Sequence, residues 1–211
     1  MNKTRTNVEL KDTYPCLKDR VQFTPVDEHY TYHPAWAARI LAQTKPSLHV
    51  DISSILSFST IVSAFVPMKF YDYRPAKISL SSFDSDFADL KNLNFSDNSI
   101  ESLSCMHTIE HIGLGRYGDE LDAEGDLKAI AELKRVLKPN GDLLFVTPVG
   151  SPKIQFNAHR IYSYEQIIAY FSPLKLQEFS LVPDAGGLIN NANPELVINQ
   201  KYGCGCFWFK K

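Results

Sequence analysis

The chain predicts an α/β fold: a mostly parallel sheet with helices on both faces. Three observations carry that expectation. Short apolar runs stand at "LHVDISS", "MKFYDYRP" and "SIESLSCM", the first two ending in acid; an amphipathic helix stands at "DAEGDLKAIAELKRVLKPNG"; and a continuously apolar run, "DLLFVTPV", follows it directly. Strands that are apolar throughout belong to sheets covered on both sides, and strand–helix alternation joins parallel neighbours through right-handed crossovers.

Taken in order, residues 1–34 hold Pro15, Pro25 and Pro34 among scattered charges, show no sustained period, and are expected to form an irregular arm or lid. Residues 35–211 are expected to form one domain. In "HPAWAARILAQTKPS" the positions Trp36, Ala37, Ile40 and Leu41 follow helical spacing, with Pro34 near the start and Pro46 beyond the end. "LHVDISS" is a strand ending near Asp51, and "ILSFSTIVSAF" a buried helix stopped by Pro67. "MKFYDYRP" supplies the second strand, ending at Asp72.

"FADLKNLNF" and "NSIESLSCM" are strand candidates separated by the turn "SDN". The long helix places Leu127, Ile130, Leu133, Val136 and Leu137 on one face, and Pro139-Asn140-Gly141 ends it. "DLLFVTPV" is a strand, "SYEQIIAYF" a short helix, and "LKLQEFSLV" and "CGCFWFKK" are the closing strands.

A chain of 211 residues fits a single core, and 44% hydrophobic with 12% aromatic residues excludes a disordered or fibrous protein. The formal net charge of -2 offers no general attraction to nucleic acid or anionic lipid. No apolar run approaches the roughly 20 residues of a membrane helix, and "MNKTRTNVELKDTYP" lacks the apolar segment of a signal peptide. A cytoplasmic address is the expectation. Cys16, Cys105, Cys204 and Cys206 form no C-x-x-C pair and are expected to be reduced, the last two on one face of a strand.

"SCMHTIEHIGLGRYGD" concentrates the chemistry. His107, Glu110 and His111 spell H-x-x-E-H, a zinc-peptidase pattern that requires both histidines on one helical face. Here the stretch follows an apolar strand and meets Gly113, Gly115 and Gly118, so a helix lasts a turn or two at most. A loop at the end of a strand is the favoured reading, and a metal hydrolase using His107 and His111 the rival.

From "SLSCMHTIEHI" through "DLKAIAELKRVLKPNGDLLFVTPVG", the chain resembles class I S-adenosylmethionine-dependent methyltransferases. "EHIGLGRYGD", "FNAHRIYSYEQII" and "YGCGCFWF" are similar to a largely uncharacterised bacterial methyltransferase-like family, over nearly the whole chain from about residue 48. The resemblance implies a Rossmann-like, seven-stranded, mostly parallel sheet whose last strand is antiparallel. It also implies S-adenosylmethionine as cofactor, a small polar substrate such as a sugar or cell-surface glycan precursor, and no required metal. Oligomeric state stays open.

The resemblance carries roles to particular residues. Asp51 and Ser53 begin the first cofactor loop, where Ser53 and Ser57 stand in place of the glycines that let backbone amides approach the methionine moiety. Asp72, followed by Tyr73, would accept from the ribose hydroxyls, or else cap a turn before Arg74-Pro75. Asp89 would accept from the adenine amino group beside Leu90, with Asp86 the alternative one register away.

His107 would line the sulfonium end of the cofactor. His107 or His111 is the candidate base and Glu110 its orienter, unless the pair only fixes the loop. Arg116, Tyr117 and Asp119 ride on the glycine-flanked insertion as substrate contacts, or Arg116 and an Asp pair to hold that loop. His159 and Arg160 would return to the same rim, or His159 would cap the helix near Ser163. The glycine-poor first loop leaves open a non-catalytic binding or regulatory protein. A dinucleotide dehydrogenase would need the G-x-G-x-x-G that is missing after the first strand.

Overall fold

The computed structural model describes residues 9–211. Residues 1–8 of the expected arm lie outside the described residues. Residues 9–26 run exposed and irregular apart from a single 3-10 turn of helix at Leu10–Asp12 and a turn of chain at residues 17–18, but helix α1 (Glu28–Thr44) starts earlier than the sequence suggested. The Asp27 side chain accepts from the Tyr30 amide at 3.1 Å and caps the first turn. The helix continues through Pro34, which forfeits one amide donor but leaves the apolar face intact. Residues 28–34 are therefore helix rather than arm. Glu28 Oε2 accepts from the Gly187 amide at 2.9 Å, tying this end to the far side of the chain.

Strand β1 (His49–Ile52) leads into α2 (Leu56–Val62), then β2 (Met68–Asp72) and β3 (Phe83–Phe87). The third strand lies before "DLKNLNF", not within it. Asp89 Oδ1 accepts from the Lys91 amide at 2.9 Å, so that segment turns instead of extending. Strand β4 (Ile100–Met106), α3 (Gly125–Val136) and β5 (Leu137–Val149) follow. On α3 the inward face is Ala129, Ile130, Leu133 and Val136, whereas Leu127 is 38% exposed. A hairpin of β6 (Lys153–Gln155) and β7 (His159–Ile161) precedes α4 (Tyr164–Phe171), β8 (Lys175–Val182) and β9 (Gly203–Lys210). The α4 cap is Ser163 itself, reciprocally bonded with Gln166, and not His159.

The seven strands run in the order β3-β2-β1-β4-β5-β9-β8. Strand β9 is antiparallel to both β5 and β8, and the other pairings are parallel, as expected for the predicted fold. Alternate residues of the central strands feed two cores. Leu143 and Phe145 pack with Ile130, Leu133 and Phe171 on one face, while Leu144 and Val146 pack with Trp36, Leu41 and Phe58 on the other. Cys204 and Cys206 share a face of β9, buried, their sulfurs 3.9 Å apart and unbridged. Among the described residues, no helix is long and apolar enough to cross a membrane.

Between β1 and β4 strand order reverses, the place where open α/β sheets bind ligands. A buried polar network holds the two strands together there. His49 Nδ1 lies 2.7 Å from Ser102 Oγ and its Nε2 2.9 Å from Ser104 Oγ; Ser104 donates to Asp51 Oδ1 at 2.5 Å, and Ser59 donates to Asp51 Oδ2. Asp51 is thus a fully buried brace beneath the first loop and not a cofactor contact as expected. Burial pushes its carboxyl up to about 6 and the His49 imidazole down to about 3.

Candidate active site

A cavity of about 390 Å3 opens beyond the carboxyl ends of β1, β2, β3 and β4. Ser53 lies at its floor with φ 56°, in the left-handed region that glycine favours. Its amide donates to the Tyr71 carbonyl at 2.7 Å, and its own carbonyl accepts from Thr108 Oγ1 at 2.8 Å. The loop therefore takes a glycine-like path although it carries a serine.

Asp72 and Tyr73 form the wall at the end of β2. Asp72 Oδ1 accepts from the Arg74 amide at 2.7 Å, so the residue caps its turn and also faces the cavity. Its Oδ2 has no hydrogen bond among the described residues. Opposite, Asp89 and Leu90 line the cavity, Leu90 buried and Asp89 holding the turn described above. These residues, predicted from separate segments, come together around one space.

Met106 ends β4 and His107 turns sharply out of it at φ 55°. Residues 109–111 form a single tight turn, so His107 and His111 do not share a helical face and the zinc-peptidase geometry is absent. Glu110 is buried between the two histidines. Its Oε1 lies 2.9 Å from His107 Nδ1 and 3.9 Å from His111 Nε2. Burial pushes Glu110 up to about 7 and His107 down to about 4. His111 Nδ1 lies 2.7 Å from the Ala158 carbonyl, which can only accept; the hydrogen is therefore on Nδ1, and Nε2 is a bare acceptor. His107 and His111 both line the cavity.

The insertion after this turn is folded by its own residues. Asp119 accepts from the amides of Gly113 at 2.9 Å, Gly115 at 3.3 Å and Tyr117 at 3.2 Å. Despite some desolvation, those amides hold its carboxyl below the usual range. Asp119 borders the cavity but its acceptor capacity is largely spent on the loop. Arg116 donates to the Ala158 carbonyl at 2.9 Å, and its guanidinium and that of Arg74 each sit 5.2 Å from the Tyr117 ring. Tyr117 and Arg74 line the cavity; Arg116 does not.

Two expected substrate contacts are elsewhere. Arg160 is 5% exposed, donates to the Ile112 carbonyl at 2.6 Å and lies 3.5 Å from Asp126, which also accepts from the Tyr162 hydroxyl. It is a buried strut. His159 lies 2.7 Å from Gln155 Oε1 and packs on Tyr202 outside the cavity. The sequence missed His29 and His33 of α1, which pack on His107, and Tyr202 before β9, which packs on His29; the His29 ring stacks on His107 at 5.2 Å and on Tyr202 at 5.1 Å. A clue was available: His29 and His33 stand four apart on one helix.

Residues 52–176 match the family described as "Caenorhabditis protein of unknown function, DUF268". The chain belongs to the DUF268 family. That match runs from the end of β1 to the start of β8 and includes the cavity's walls from Ser53 to Glu120.

Solved structures share the fold of this DUF268 chain. The N-methyltransferase NodS from Bradyrhizobium japonicum WM9, in complex with S-adenosyl-L-homocysteine, aligns at TM-score 0.58 and 12% identity, over 84% of this chain and 85% of that one. The 1,6-didemethyltoxoflavin-N1-methyltransferase of Burkholderia thailandensis, with bound 1,6-didemethyltoxoflavin and S-adenosylhomocysteine, aligns at 0.54 and 10%, over 88% and 79%. The cyclase SpnF aligns at 0.56 and 13%, over 84% and 80%. The architecture is that of Rossmann-like class I methyltransferases. No curated protein matches the chain.

Proposed function

We propose that this DUF268 protein is an S-adenosylmethionine-dependent methyltransferase acting on a small polar molecule. The observation that carries the reading is the convergence of Ser53, Asp72, Asp89 and Leu90 on one cavity at the point where strand order reverses. Two methyltransferases of this fold hold S-adenosylhomocysteine. The donor set fits that molecule: a left-handed backbone at Ser53 for the methionine end, a free carboxylate oxygen of Asp72 for ribose hydroxyls, and Asp89 beside apolar Leu90 for the adenine.

When bound, the cofactor supplies an electrophilic methyl group, and the chain has to align an acceptor and take its proton. His111 is suited to the second task, because it lines the cavity with Nδ1 fixed on the Ala158 carbonyl, which leaves Nε2 to accept a proton 3.9 Å from the Glu110 carboxyl. Arg74, Lys91, Tyr117 and Glu120 give the cavity a polar mouth, which favours a polar acceptor such as a sugar or glycan precursor. A second reading, a non-catalytic binding protein, is favoured only by the serine at position 53, and SpnF is a cyclase on this fold. A crystal grown with S-adenosylhomocysteine tests the proposal: density with its ribose on Asp72 and its adenine by Leu90 supports it, and density elsewhere, or none, counts against it.

A further inference from the structure

Five of the chain's six histidines lie in or beside one region, and three of them, His29, His33 and His159, do not line the cavity. His29, His107 and Cys204 come from the start of α1, the end of β4 and the start of β9. Strand β9 is antiparallel to β5, so its first residues fall at the same end of the sheet as the carboxyl end of β4. One ligand atom from each of the three lies within 4.8 Å of the other two. Ligand atoms around a filled tetrahedral zinc are about 3.5 Å apart, given bond lengths of about 2.0–2.3 Å. Small side-chain rotations would close that difference.

The buried polar atoms supply an independent observation. Among the described residues, four buried side-chain nitrogen or oxygen atoms have no partner: one, His107 Nε2, belongs to this cluster, and two more, His33 Nε2 and Glu110 Oε2, are on residues that pack against His107. Stacking of rings does not explain them, since buried polar atoms are ordinarily satisfied by protein, water or an ion. His107 is arranged as a ligand would be. Its Nδ1 lies 2.9 Å from Glu110 Oε1, so with Glu110 ionised the hydrogen is on Nδ1 and the Nε2 lone pair is bare, and metal-bound histidines usually carry such a carboxylate on their other nitrogen. His33 repeats the pattern: Nδ1 donates to the His29 carbonyl at 2.7 Å, and Nε2 is a second bare lone pair, its ring 5.0 Å from that of His107.

We propose that His29, His107 and Cys204 bind one divalent transition-metal ion of the zinc class, with Glu110 as the positioning carboxylate behind His107. Two imidazoles and a thiolate favour zinc over magnesium or calcium, which prefer oxygen ligands. Binding breaks the Cys204 S–H bond and releases that proton to solvent; no electron moves. The ion would anchor α1 to the sheet beside the cavity and leave a fourth position for solvent. The site shares His107 with the cavity lining but no residue with the expected ribose and adenine contacts, so metal content and the cobalt spectrum are read without the methyl donor.

The test uses the full chain purified without chelator. Elemental analysis should find about one zinc per chain, and cobalt-loaded protein should show a thiolate-to-metal charge-transfer band. The band should vanish in Cys204→Ala and persist in Cys206→Ser, while Glu110→Gln should weaken zinc binding by about 10–100-fold. Wild-type protein that retains only trace zinc after dialysis against the metal and shows no such band with cobalt overturns the proposal, whatever the variants do. A band undiminished in a folded Cys204→Ala protein overturns it equally.

Discussion

His49 and Asp51 meet through Ser104 in the middle of the sheet, and burial moves their proton affinities in opposite directions. Asp51, raised from 3.8 to about 6, adds stability that is present in acid and lost as pH rises through about 6. His49, lowered from 6.5 to about 3, adds stability that is present at neutral pH and lost as pH falls towards about 3. In between, the unfolded chain holds imidazolium and carboxylate, while the folded network holds neutral imidazole and carboxylic acid. Each state binds one proton, so the pair adds no pH dependence in that window.

Removing one partner should uncover the other. In Asp51→Asn the unfolded chain binds the extra proton, and stability relative to wild type should rise by up to about 1.4 kcal/mol per pH unit, about 2 kcal/mol in all from about pH 4 to about pH 6. In His49→Gln the folded chain binds it, and relative stability should fall by about the same amount. Urea unfolding across this range, each variant subtracted from wild type at the same pH, cancels other groups such as Glu110 and His33. Slopes of the same sign, or flat difference profiles for both variants, would refute the assignment of these protonation states to burial.

Ser53→Val puts a β-branched residue at φ 56° and should cost about 1–3 kcal/mol in thermal or urea unfolding, whereas Ser53→Gly should be neutral or stabilising. Gly113 has φ +78°, and a Cβ there would lie 2.1 Å from the Asp122 carbonyl oxygen. Gly113→Ala should therefore displace the insertion loop, read as lost amide-exchange protection at 113–119. Asp119→Ala removes the acceptor of three loop amides and should release the same amides to exchange while strands β4 and β5 stay protected. Tyr162→Phe leaves Asp126 without its buried hydroxyl donor and should lower stability by about 1–3 kcal/mol in urea unfolding.

Much of the architecture was legible because apolar runs and the α3 period are backbone-scale signals, repeated along each element. The early start of α1 was hidden by Pro34, which usually marks a helix's first turn but here sits within it, behind the Asp27 cap. The third strand was placed too late because "FADLKNLNF" is as apolar as a strand, and only the Asp89 side chain bonding its own turn shows otherwise. At the site, Asp72, Asp89 and His107 stand at strand ends, where topology alone directs them to the cavity. Arg116, Arg160 and Asp119 were ambiguous for a common reason: a charged residue near a loop reads the same whether it meets a ligand or a backbone group. The His29–His107–Cys204 cluster joins residues far apart in the chain, and no local spacing announces it.

The central claim is that the space walled by Ser53, Asp72 and Asp89 binds S-adenosylmethionine. Calorimetric titration of the full chain with S-adenosylhomocysteine tests it most directly, repeated with Asp72→Ala. One site per chain is expected, weakened about 10–100-fold when the carboxylate and its charge-assisted hydrogen bonds are removed. No heat at millimolar ligand, or an affinity indifferent to Asp72, would contradict the account.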